Sequence, residues 1–147
     1  MNKFVRNALA VLVGLVGGSI INMLIVNYGG VIIPTPEGFD FSTMEGLKVG
    51  MQQMQPKHFL MPFLAHALGT FVGASICVTI AKSSRRNLAM LIALGFFTGG
   101  FINVMMLPSP LWFSVADLSL AYFPMAFLAW IFFGKKKSIK YHLWIKF

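Results

Sequence analysis

Long apolar runs separated by short polar segments set the pattern of this chain. Four runs reach or exceed the roughly 20 residues that an α-helix needs to cross a hydrocarbon core of about 30 Å. They cover residues 8–27, 56–81, 88–107 and 110–134. The pattern predicts an all-α membrane protein, with four transmembrane helices in a single domain over residues 1–147.

A shorter amphipathic helix is predicted between the first two runs. Ser42 and Glu45 have the spacing of a capping box. Apolar residues then recur at helical intervals until Pro56. They are Met44, Leu47, Met51 and Met54. We expect this helix, over about residues 42–55, to lie on the outer surface of the membrane.

The first and third runs share a pattern of two glycines and an asparagine, each four residues apart. It occurs as Gly14, Gly18 and Asn22 and again, 81 residues later, as Gly95, Gly99 and Asn103. The spacing places each set on one helix face, and G-x-x-x-G lets two membrane helices approach closely. We expect two helical hairpins, residues 8–81 and 88–134, related by a pseudo-twofold axis along the membrane normal.

In that arrangement the two glycine faces meet, and Asn22 and Asn103 hydrogen-bond each other. Ser19 and Gly100 complete the predicted polar axis. A second interpretation stays open, in which the asparagines line a polar cleft open to the outside, beside Ser19 and Thr98. Both interpretations give the amides partners other than lipid.

Composition supports the membrane assignment, and charge orients the helices. Hydrophobic residues make up 57% of the chain and charged residues 11%, with a mean hydropathy of +0.76. Ten of the twelve basic residues flank the runs on one side, and all four acids fall on the other. The positive-inside rule then places both termini in the cytoplasm. The net charge of +8 is explained by topology, so no nucleic-acid partner is expected.

Two terminal segments each allow two interpretations. Lys3 and Arg6 precede the first run as in a signal peptide, but the run is long and lacks an A-x-A site, so we expect it to be retained. The basic segment 135–147 either lies along an anionic inner leaflet or forms a solvated tail.

Candidate chemistry is sparse. His66 falls near the middle of its run, and an ionisable group at that depth is a functional hypothesis by default. Its structural alternative is a neutral imidazole bonded to Thr70 or to a helix carbonyl. His58, Asp40 and Asp117 are expected at the outer surface, where convergence with His66 would support an enzyme. No metal-ligand spacing or catalytic motif occurs, so no metal, cofactor or catalytic residue is predicted.

Two outer-loop motifs carry a resemblance to known proteins. The chain contains P-x-P-x-G-x-D from Pro34 to Asp40 and LPSPLWF from Leu107 to Phe113. With the glycine-rich helices, these resemble a group of small four-helix bacterial membrane proteins of unknown function. The resemblance implies a bacterial inner-membrane protein and no particular activity. That group usually has an aromatic residue where His66 stands and a histidine where Ser109 stands.

Three functions are compatible with the sequence. The first is a non-catalytic accessory protein that packs against itself or a larger membrane partner. The second is a small-solute or ion conduit formed by a dimer, with the asparagines and His66 along the path. The third is a membrane-embedded enzyme acting at the outer interface. The absence of recognisable catalytic motifs places the accessory role first and makes an enzyme the less favoured class.

Overall fold

A computed structural model describes residues 2–135 as an all-α bundle, with no β-strand among these residues. The predicted tail lies outside the described residues, except for Lys135. The helices are α1 (Lys3–Ile32), α2 (Met44–Met51), α3 (Leu60–Ile80), α4 (Arg85–Met106), α5 (Leu111–Leu120) and α6 (Phe123–Ala129). A 3-10 turn (Pro56–Phe59) leads into α3, and a π turn (Trp130–Gly134) follows α6.

Four segments are long and apolar enough to cross a membrane, which confirms the predicted number of spans. They are Lys3–Ile32, Pro56–Ile80, Arg85–Met106 and Leu111–Gly134. We call the end that carries α2 the acidic end and the end that carries the α3–α4 connection the basic end.

The short helix α2 forms within the predicted range, but its cap differs from the prediction. Thr43 is the N-cap, and its Oγ1 accepts a hydrogen bond from the Gly46 amide at 3.1 Å. Ser42 instead donates its backbone N–H to Asp40 Oδ1 at 3.0 Å. Because Ser42 is hydrogen-bonded to the carboxylate of Asp40, it does not cap α2. Thr43, the next residue in the chain, is the N-cap instead.

The closest helix pair is α1 with α3, and glycines make the approach possible. A Cβ on Gly18 would lie 2.5 Å from the Gly69 carbonyl oxygen, and one on Gly14 would lie 2.6 Å from that of Gly73. Each backbone thus occupies the space that a side chain would need. The two G-x-x-x-G faces interlock in antiparallel order.

This pairing differs from the predicted meeting of the α1 and α4 glycine faces. A Cβ on Gly99 would have no neighbour within 4 Å, and one on Gly95 would meet only the end of Leu15. The physical reason is that α3 carries its own G-x-x-x-G motif and directly follows α1 among the spans. The glycines of α3 therefore pack against those of α1, and the glycines of α4 are not needed for this contact.

The bundle is closed in its basic half and open in its acidic half. A core of small side chains, including Ala10, Cys77 and Ala89, joins α1, α3 and α4 near the basic end. The Asn7 side chain also accepts a hydrogen bond from the Lys82 amide at 3.0 Å. Toward the acidic end α1 and α4 leave a space between them, described below.

The fourth span is broken at Ala121 and Tyr122, between α5 and α6. Tyr122 has φ −114° and ψ −81°, outside the helical region, and Pro124 lies in the first turn of α6. Proline has no N–H to donate to the carbonyl of Leu120, four residues earlier, and its ring crowds that carbonyl. The break therefore follows from the sequence.

The glycine contacts generate a stability prediction. Gly18→Ile should destabilise the protein by about 1–3 kcal/mol, because the added atoms must displace the α3 backbone. Gly30→Ile is the matched control, since a Cβ there meets nothing within 4 Å. Thermal unfolding in detergent measures both. Gly99→Ile should resemble the control, and damage equal to that of Gly18→Ile would instead favour the pseudo-twofold contact.

Candidate functional site

A buried carboxylate lies inside the fourth span. Asp117 is on α5 and only 1% exposed, whereas the sequence interpretation placed it on the outer surface. Its Oδ1 and Oδ2 lie 2.9 and 3.0 Å from His66 Nδ1, and Oδ2 accepts a hydrogen bond from the Tyr122 hydroxyl at 2.8 Å. We call these three residues the Asp117 cluster. It joins α3 to both sides of the helix break.

His66 has a carboxyl partner, Asp117, that the sequence interpretation did not give it. The expected contact with Thr70 exists in another form, since the Thr70 hydroxyl donates to the His66 backbone carbonyl at 2.8 Å. The imidazole itself is held by Asp117 through Nδ1. No hydrogen bond engages Nε2 among the described residues, and the side chain is 18% exposed. One edge of the ring is fixed and the other is available.

The helix break brings Tyr122 to the carboxylate. Residues five apart do not share a face of a continuous helix, yet Asp117 and Tyr122 form a direct hydrogen bond across the break. Tyr122 stacks near His66, with ring centroids 5.8 Å apart. Its hydroxyl also lies where a Cβ on Gly100 would be. Gly100, which was predicted on a helix-packing axis, therefore makes room for the tyrosine.

His66 lines a cleft of about 910 Å³ in the acidic half of the bundle. One wall is α1, which contributes Ser19, Asn22 and Asn27, and the opposite wall is α4, which contributes Asn103. His66 and Tyr122 lie at its base. We call this space the cleft. No Lys, Arg, Asp or Glu is among its lining residues.

The predicted site residues divide between packing and the cleft. Gly14 and Gly18 are buried against α3, whereas Gly95, Gly99 and Gly100 line the cleft. Asn22 and Asn103 lie on opposite walls, with no hydrogen bond between them. This differs from the predicted amide pair, and both asparagines line the cleft together with Ser19. Thr98, expected in that cleft, instead donates to the Leu94 carbonyl and is not part of its lining.

The outer candidates do not join the cluster. His58 Nδ1 accepts a hydrogen bond from the Gln55 amide, which caps the turn before α3. Asp40 is exposed, and its bonds from the side chain and backbone of Ser42 hold the pKa of the carboxyl below its ordinary value. Both residues have local structural roles. No group of three potential metal ligands occurs within residues 2–135.

Sequence reasoning missed the partnership of His66 with Asp117. The missed signal was the length of the fourth run, because a span over residues 110–134 already contains Asp117 about two turns from its start. An acid there required a partner, and His66 was the ionisable group at similar depth. Gly69 and Gly73 were missed as well, although their spacing repeats that of Gly14 and Gly18.

The fold and the site together define a multi-pass helical membrane protein with a mainly apolar cleft that also contains amide side chains and His66. Comparisons with protein-family models, with curated proteins and with solved structures found no match to this chain. The geometry of its own residues is therefore the basis for assigning a function.

The cluster can hold and exchange a proton at one defined atom. With Nδ1–H donated to the carboxylate, neutral His66 presents a lone pair at Nε2, and protonated His66 presents a donor there. Asp117 fixes the ring and offsets its positive charge when the ring is protonated. Tyr122 satisfies the second carboxylate oxygen. The same atom therefore serves as acceptor or donor toward the cleft.

The buried pair generates a second stability prediction. His66→Leu should destabilise the protein by about 1–3 kcal/mol, because it removes a hydrogen-bond partner from the buried Asp117 carboxyl group. Adding Asp117→Leu and Tyr122→Phe should recover most of that loss, since no polar group is then stranded. Unfolding in detergent measures both variants. A single variant as stable as the triple variant would show that the pair contributes little.

Proposed function

We propose that this protein binds a polar ligand group within the membrane and that binding is linked to the proton on His66 Nε2. The observation that carries the proposal is the position of His66. One ring nitrogen is held by a buried carboxylate, and the same residue lines the cleft. An ionisable pair in a membrane span is costly, which favours a functional role.

The linkage follows from the two states of the imidazole. Neutral His66 accepts a hydrogen bond from a ligand hydroxyl or amide, and protonated His66 donates one to a ligand oxygen. The groups that face the ring are Asp117 and Tyr122 from the fourth span and the uncharged amides of α1 and α4. Within residues 2–135, no Lys, Arg, Asp or Glu lines the cleft beside His66.

A conduit requires more than one copy of the chain. The cleft ends where α1 and α4 close on each other, since a Cβ on Gly14 would lie 3.2 Å from the Ile92 side chain and one on Gly95 would lie 3.1 Å from Leu15. A path across the membrane would need a second copy or a movement of α1. The dimeric conduit therefore stays an extension of the binding proposal.

The accessory role is the second candidate. It is favoured by the apolar surface of α1, where Leu12, Val16 and Ile20 are more than half exposed. A homo-oligomer or a larger membrane partner would cover this surface as well as lipid does. The accessory role does not explain the amides and the histidine that line the cleft, so binding is the favoured function. The repeat of the two hairpins also stays a prediction.

We infer a bacterial inner-membrane location with both termini in the cytoplasm. The support is the resemblance of the outer-loop motifs and the distribution of charge. Cysteine in place of exposed Ser42 should react with an impermeant thiol reagent added to intact cells, and cysteine in place of exposed Ser84 should not. Native Cys77 is fully buried and serves as the unreactive background. Labelling of Ser84→Cys alone would reverse the orientation.

The proton at His66 is the direct test of the proposed function. In ¹⁵N-histidine-labelled protein in lipid nanodiscs, His66 should titrate at Nε2 while Nδ1 stays protonated, with His66→Gln assigning the signal. Gly99→Leu, which fills the cleft, should slow proton exchange with buffer, and Gly30→Leu should not. An Nε2 that stays in one state between about pH 4 and pH 10 would overturn the proposal.

A ligand screen completes that test. Small polar solutes and amphiphiles are added to weakly buffered protein while proton uptake or release is followed with a pH dye. We expect a proton change with at least one compound class in the native protein and none in the triple variant His66→Leu, Asp117→Leu, Tyr122→Phe. Equal responses from both proteins would assign the proton change to another group.

A further inference from the structure

We propose that the ligand of the cleft is an uncharged, membrane-borne amphiphile that enters between α1 and α4, with a hydroxyl or carbonyl head that reaches His66. This inference rests on the proposed function and adds the chemical class of the ligand. It depends on the shape of the cleft, on its lining and on the apolar surface around its opening.

All described residues that line the cleft belong to α1, α3 and α4, apart from Tyr122. Its two walls are α1 and α4, and its base is formed by α3 and Tyr122, with no lining residue from α2 or from the loops. The wall helices carry exposed apolar residues beside the opening, including Met23, Phe101 and Ile102. These exposed apolar side chains would lie in hydrocarbon in a bilayer, and we infer from them that the ligand reaches the cleft from the lipid phase.

The lining selects an uncharged head. Side-chain amides of Asn22, Asn27 and Asn103 offer donors and acceptors, and His66 offers one more of either kind. Among the described residues no lysine or arginine lines the cleft to neutralise a phosphate or carboxylate, and the Asp117 carboxyl is already hydrogen-bonded to His66 and Tyr122. Burying a second, unpaired charge here would be expensive.

The volume fits a molecule larger than an ion. Small-molecule pockets usually measure about 300–1,000 Å³, and the cleft has about 910 Å³. Its lining is otherwise apolar, with Leu15, Val26 and Phe96 among the wall residues. A polar head can reach the amides and His66 while its chain lies against these side chains and extends into the bilayer. A hydrated ion would leave the apolar wall residues without a partner.

Photo-crosslinking tests the proposal in the full-length protein. The protein is reconstituted in phosphatidylcholine vesicles that contain a long-chain alcohol bearing a diazirine in its chain. A diazirine fatty acid and a diazirine phosphatidic acid of equal chain length, both studied at pH 8, provide the charged comparisons. Labelled peptides are identified by mass spectrometry.

We expect the alcohol to label peptides containing residues 15–27 of α1 and 95–103 of α4 in preference to other spans. Gly99→Leu should reduce this labelling about tenfold, equivalent to about 1.4 kcal/mol of binding free energy, because its side chain fills the cleft. Gly30→Leu lies outside the cleft and should label as the native protein does. Thermal unfolding of both variants shows that each one folds.

Three results would overturn the proposal that the ligand is an uncharged amphiphile. Equal labelling of both variants would mean that the probe reports general lipid contact. Preferential labelling by the charged probes would replace an uncharged head with an anionic one. Efficient disulfide formation between copies of Asn103→Cys in membranes would mean that a second copy covers the opening. The proposed function survives each result if His66 still titrates at Nε2 and responds to Gly99→Leu.

Discussion

The hydrogen-bonded carboxylate of Asp117 is the constraint on which the acidic half of this molecule depends. A carboxylate in a membrane span needs partners, because hydrocarbon supplies none. One partner comes from α3 and the other from beyond a break in its own helix. The break requires Pro124 and a non-helical Tyr122, and the tyrosine requires space above Gly100. Several residues that look unrelated in the sequence thus hold or make room for the partners of one carboxyl group, that of Asp117.

The basic half depends on a different interaction, which leaves the acidic half free to open. The glycines of α1 and α3 bring two backbones together, and the small residues of the core continue that packing toward the basic end. Helices packed this closely form a rigid pair. Because α1 is held by α3, it does not need α4 as a partner along its full length. The cleft is the space that this unequal packing leaves.

The sequence predicted the spans, because length and hydropathy are properties of each segment alone. Which helices pack against each other depends on which helix faces meet, and three of the four spans carry glycines with the spacing that close helix packing requires. The repeat of Gly14 and Gly18 in Gly95 and Gly99 favoured α4, whereas Gly69 and Gly73 on the neighbouring span are the observed partners. Asp117 was assigned to a loop because its helix begins only six residues earlier, at Leu111, after two prolines. Only the folded arrangement shows that His66 and Asp117, 51 residues apart, are neighbours.

The asparagines are explained by the cleft more fully than by a structural pair. Two amides bonded to each other would contribute only about 0.6 kcal/mol and would close the space between α1 and α4. Here they stay apart on facing walls, above a histidine whose outer edge has no partner within the described chain. Unused donors and acceptors directed into one space are costly in lipid unless something occupies that space. Their arrangement therefore supports the proposal that these amides bind a ligand rather than pack two helices together.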